Sequence, residues 1–363
     1  MKHARLRASL ALSAAWVLGA CLLGIDAAAA PPQYGLAKVL NLPGDTGWDY
    51  LAFEQGGHRL FIAHGTQVDV IDTKHLVRIG EIADTPGVHG IALAPELRRG
   101  FISAGASGTI IEFDLQSLTR LKEIKSTGEN PDAIIYDRAT QRVFAFNGRS
   151  RNATVLDART AEVIGTIELE ARPEFAAADG KGRVYVNLQD KNSLAVIDSR
   201  SLALLSVWPL SGCEGPSGLA LNVAAAQVFS VCANHVMVVT DGASGRILGT
   251  APIGAGVDAA AYDPGANLAL ASCGEGVLVA VTPTASGALA LAQSVPTQRG
   301  ARTMALDERT HRIYLVTASF GETPAPSAEQ PHPRPAILPG TFRLLAVYPH
   351  HEQVTTILEG KAK

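Results

Sequence analysis

The residues best suited to chemistry in this chain are seven that recur at nearly equal intervals. They are Asp49, His89, Asp132, Glu174, Ser217, Asp258 and Arg302, spaced 40, 43, 42, 43, 41 and 44 positions apart. Each opens a short apolar run, as in Gly47-Trp-Asp-Tyr-Leu-Ala-Phe53 and Gly215-Pro-Ser-Gly-Leu-Ala-Leu221. Four acids, a histidine and an arginine drawn to one place are costly to bury unless paired, hydrated or liganded. A histidine beside carboxylates is suitable ligation for zinc or another divalent ion, and His64, His89, Asp49 and Asp132 form that candidate set. A bound ion would act as Lewis acid, with a spare carboxylate as base. Without an ion, the same ring is a polar binding mouth, or a hydrated lining whose groups bond to neighbouring backbone.

The elements that position these residues follow from the interval. A period of about 42 residues with four strand-like runs per unit is the signature of a β-propeller, here with seven blades. In the second unit the runs start at His89, Gly100, Thr109 and Leu121, and the last alternates apolar and polar as a half-exposed outer strand should. The third run closes on an aspartate in five units, at Asp72, Asp114, Asp157, Asp198 and Asp241. Such an aspartate bonds the N–H groups of the following turn, so these regular acids read as structural. Pro283 and Pro349 hold that place in the last two units. The fold predicted is all-β, a single domain over 31–363 with four-stranded blades. The first residues of the inner strands then converge on one mouth of a central channel. Second strands ending on that face add His64 and Asn147 to the expected mouth. The segment 35–42 is predicted to close the ring by completing the seventh blade, with the C-terminal run 353–358 as the competitor for that place.

The repeated Gly-Pro-Asp anchors, with the runs ending at Asn187 and Thr317 and the Val-Ile-Asp turns, resemble those of the YVTN-repeat propellers, specifically the exported YncE-like bacterial proteins. The resemblance covers nearly everything from Gly44 to Pro349. It implies a scaffold shared by proteins of differing task, so function must be read from the site. The Gly-His and Trp-Asp pairing of WD40 blades and the blade tryptophans of quinoproteins are missing. So are a Cys-x-x-Cys-His haem motif, a Gly-rich nucleotide loop of the nicotinamide or phosphate kind, and a nucleophile elbow.

One blade departs from the repeat. Between Thr317 and Thr341 lie 23 residues, 318–340, with six prolines that make the excursion stiff. It should lie on the mouth face, with Phe320, His332 and Arg334 as contact groups, and act as a lid or docking rim.

The ends and the cysteines bear on location. Lys2, Arg5 and Arg7, then an apolar stretch from Leu10 to Ile25 and alanines 27–30, read as a secretion signal over 1–30. Leu18-Gly-Ala-Cys21 within it resembles a lipobox, so lipid anchoring through Cys21 is the alternative to a free periplasmic or secreted protein. Cys213 and Cys232 fall at one blade edge and are expected to pair in an oxidising compartment, leaving Cys273 free. The formal net charge is −3, with no Lys/Arg run, which argues against nucleic acid as a partner. A small molecule or an envelope protein is expected instead, bound by a monomer. Three functions fit these residues: a ligand-, cation- or partner-binding scaffold, a metal-dependent hydrolase or lyase of small molecules, or an envelope interaction protein.

Overall fold

The computed structural model describes residues 31–325, 327 and 333–350. The expected secretion signal with Cys21, His332 and the run 353–358 lie outside the described residues. Within them are 28 strands in seven antiparallel sheets of four, with two short 3-10 turns, Pro95–Leu97 and Gln189–Lys191. Each sheet is one blade. The inner strands are Trp48–Phe53, Val88–Ala94, Pro131–Asp137, Pro173–Ala178, Pro216–Asn222, Val257–Asp263 and Met304–Asp307. The seventh blade takes its outermost strand from the other end of the chain: Tyr34–Asn41 runs antiparallel to Arg343–Pro349. Its Tyr34 backbone is also clasped by the Gln293 amide of the sixth blade, with both bonds at 2.8 Å. The expected closure by the N-terminal strand is therefore the one observed.

Alternation explains the packing. The two middle strands of each blade are apolar on both faces because neighbouring blades cover both sides, as in Arg59–His64 and Gln227–Cys232. Outer strands face water and alternate, as Val77–Ile82 does. The five turn aspartates hold their turns as expected. Asp198 Oδ1, for example, accepts from the N–H groups of Arg200 at 2.9 Å and Ser201 at 2.7 Å. A second device was not read from the sequence. Residues that begin second strands reach across to turn carbonyls of the following blade: Arg142 to Arg200 at 2.6 Å, Arg183 to Gly242 at 3.0 Å, and Gln227 to Thr284 at 3.0 Å.

Cys213 and Cys232 form a disulfide, with Cα atoms 5.4 Å apart. It closes a short loop within the fifth blade and contributes about 3 kcal/mol by restricting the unfolded chain. Cys273 is free and fully buried, and burial pushes its thiol up to about 12, so it is inert as a nucleophile. No helix among the described residues is long and apolar enough to cross a membrane.

Candidate functional site

Six of the seven ring residues sit at a break in strand register, while Arg302 stands just before its inner strand, which pairs without a shift. In the first blade Trp48 pairs with His64, and pairing resumes only at Leu51. The same shift follows Val88, Pro131, Pro173, Pro216 and Val257 in the next five blades. A bulge frees residues from the ladder and re-aims their side chains, here toward the axis. The freed backbone is then held by second-strand side chains of its own blade and of the preceding one. Ser103 Oγ accepts from Gly90 N–H at 2.8 Å and donates to the Asp132 carbonyl, and Asn187 Nδ2 donates to the carbonyls of Ser217 and Gly218. Approach between inner strands is so close that a Cβ on Gly218 would lie 2.6 Å from the Ala260 nitrogen. Glycine is needed there for space.

The ring assembles as the spacing implied, and its charges are matched. His89 Nδ1 lies 2.6 Å from Asp49 Oδ2 and 3.8 Å from Asp132 Oδ1. Arg302 Nε bonds Asp258 Oδ2 at 2.9 Å, and Arg172, not foreseen, meets Glu174 at 3.0 Å. Ser217 turns away to the Val257 carbonyl, 3.4 Å off. Burial dominates the titration of this cluster. It pushes Glu174 up to about 8, with the Asp132 charge adding to the effect and Arg172 opposing it. Burial likewise raises Asp132 to about 6, against the pull of His89, and raises Asp258 against that of Arg302. For His89 burial works the other way, but the hydrogen bond to Asp49 and the charges of Asp132 and Asp49 win, so its pKa is raised. The ring thus sets a histidine of raised pKa and two guanidinium groups against carboxylates, with Glu174 largely protonated at neutral pH.

A stability consequence follows with a definite sign. A folded-state carboxyl near 8, against an unfolded value near 4.5, holds a proton that the unfolded chain releases, so stability falls as pH rises through that window. His89, raised in the fold, loses its contribution in the same direction. Glu174→Gln should match the wild type near pH 5 and exceed it by on the order of 1–3 kcal/mol at pH 9 in denaturant unfolding. Equal effects at the two pH values would show that Glu174 ionises normally.

Two expected members are elsewhere. His64 bonds Asp69 at 2.9 Å and stacks on Phe342 with ring centroids 4.1 Å apart. Asn147 is fully buried, accepting from Ser126 and donating to Asn152 and Thr154. The reason is geometric: a second strand lies one strand out from the axis, so its side chains face the adjoining blades. Among the described residues, the donor atoms of Asp49, His89 and Asp132 lie within 4.8 Å of one another, and His64 is no part of that group.

Two half-buried aromatic side chains meet below the ring. Tyr50 and Phe175 follow Asp49 and Glu174 on blades across the axis from each other, and their rings stack with centroids 4.3 Å apart. The equivalent residues of the other blades are Gly90, Ala133, Gly218, Ala259 and Thr303, all smaller than these two. Burial holds the Tyr50 hydroxyl well above its ordinary pKa, and the charges of Asp132 and Glu174 add to this. That column of two aromatics among five small residues was the available signal for the plug.

Beside the ring the Pro-rich excursion builds a wall. Phe320 bridges Ile337, with Gly321 N–H donating to the Ala336 carbonyl and Leu338 N–H to the Ser319 carbonyl, both at 2.9 Å. Phe320 also packs on Trp48, centroids 6.1 Å apart. A cavity of about 480 Å³ opens there, with Trp48, Arg299, Arg302, Phe320, Arg334 and Ile337 on its walls. The described part of the excursion therefore lies on the ring's face, as expected. A smaller cleft of about 280 Å³ on the opposite face, near Lys181 and Tyr185, has no contact with the ring.

Known structures match this fold. A crystal structure of RRP9 WD40 repeats superposes with TM-score 0.71 at 11% identity, covering 87% of this chain and 99% of that one. The structure of U3-55K gives 0.70 at 10% identity, over 86% and 99%. A chain of a mitotic checkpoint complex crystal structure gives 0.70 at 13%, over 95% and 99%. At such identities the likeness is one of fold alone. No family model matches the chain, and no curated protein matches it in sequence.

Proposed function

We propose that this chain is an exported, non-catalytic propeller of the YVTN-repeat kind that binds a small ligand at its channel mouth, under the Pro-rich excursion. The supporting observation is the cavity of about 480 Å³ where Arg302 of the ring meets Phe320, Arg334 and Ile337 of the excursion. A concave site with apolar walls and a few convergent charges is how proteins hold small molecules. The disulfide fits an oxidising compartment outside the cytoplasm.

The reading as a metal-dependent hydrolase or lyase keeps one support, the close donor atoms of Asp49, His89 and Asp132. Against it, His89 Nδ1 is already held by Asp49 at 2.6 Å, and its raised pKa works against the neutral imidazole that a metal needs.

Replacing 322–340 with an Asn-Gly turn tests the binding role. The blade strands keep their partners, so the loss of stability should stay near 1–2 kcal/mol. Small molecules that raise the wild-type melting temperature in a screen should lose that effect in the shortened variant. Hits that persist undiminished would place the binding site elsewhere.

A further inference from the structure

The excursion cavity gathers basic groups without acids on its walls, whereas the ring beside it sets bases against acids. Three guanidinium groups line it: Arg299, Arg302 and Arg334. Arg302 spends its Nε on Asp258, which leaves its terminal nitrogens free of any ion pair. Arg299 makes a cation–π contact, its Cζ 5.8 Å from the Phe320 ring centre, and has no acidic partner. Arg334 acts on Asp258 only as a nearby charge and bonds no carboxylate among the described residues. Arg299 and Arg334, without a carboxylate of their own, stand beside Arg302 and repel one another, and an anion is what relieves them. The remaining wall is flat and apolar. Trp48 and Phe320 offer rings, and the Trp48 indole N–H is buried without a hydrogen-bond partner.

We propose that this cavity takes an organic anion with a flat apolar body, a carboxylate or phosphate held by Arg299, Arg302 and Arg334 while the body lies against Trp48 and Phe320. The guanidinium fork matches either oxyanion in paired hydrogen bonds. This rests on the binding role proposed above and adds to it the ligand's class.

Calorimetric titration of the exported protein with four probes of one body and different charge tests the class. The probes are 2-naphthoate, 2-naphthyl phosphate, 2-naphthylmethanol and 2-naphthylmethylammonium. One or both anions should bind at least tenfold more tightly than the alcohol, and the better anion identifies the headgroup. The double variant Arg299→Gln, Arg334→Gln should bring that anion down to the affinity of the alcohol with an unchanged melting temperature, because both side chains are exposed and unpaired. If the alcohol or the ammonium binds as tightly as the anions, or if the double variant keeps the preference, the ligand class is wrong while the cavity remains a binding site. If none of the four binds at millimolar concentration, the class and the binding role fall together.

Discussion

A protein beginning at Leu42, without the strand Tyr34–Asn41, should fail to form a stable ring. The expected loss exceeds about 5 kcal/mol, enough to consume the stability of an ordinary domain. Removing this strand strips the partner from Arg343–Pro349, whose Leu344, Leu345, Ala346 and Val347 are buried. It also removes Tyr34, which is 3% exposed and donates a hydrogen bond to the buried Asp263. The freed strand edge is then a template for aggregation. The yield of folded protein and denaturant unfolding would measure the effect. A shortened protein that unfolds at wild-type denaturant concentration would mean that the run 353–358 takes the vacant place.

The second large effect lies on the axis. Tyr50→Ala removes one half of the stack with Phe175, at a cost of about 2–4 kcal/mol. The cost should depend on pH. Opening the channel admits water to Glu174 and Asp132, whose raised pKa values come first from burial. Their return toward ordinary carboxylate behaviour relieves the wild-type penalty above pH 8, so the variant should lose most near pH 5 and least near pH 9. Tyr50→Phe keeps the stack and should cost less than 1.5 kcal/mol, roughly the scale of a conservative core exchange. A Tyr50→Ala protein of unchanged stability and unchanged pH dependence would show that the stack carries no weight.

Much of this was legible in the sequence for a physical reason. Each blade must solve the same burial problem, so strand alternation, turn aspartates and ring positions repeat, and repetition makes weak local signals add. The ring residues were legible because the bulge recurs at one column. His64 and Asn147 were misplaced because position along a strand fixes the face of the disc and not the direction of the side chain. Arg299 and Arg172 stand in connections outside the repeat's regular strands and carry no pattern. The cavity depends on how the excursion folds back to bridge Phe320 with Ile337, a long-range pairing that no spacing announces.

The column of two large rings among five small residues has a consequence for how the molecule can be rearranged. At the ring positions and in the turns the blades are near-equivalents, and a duplicated or exchanged blade would find suitable neighbours on either side. At the axis they are not, because Tyr50 and Phe175 are large and stack on each other where Gly90, Ala133, Gly218, Ala259 and Thr303 of the other blades are small. Cutting and rejoining the chain at an outer turn keeps that complement and is compatible with the fold, whereas shuffling blades puts two rings side by side or leaves a hole. The order of blades is thus written at the centre of the disc, where all seven meet.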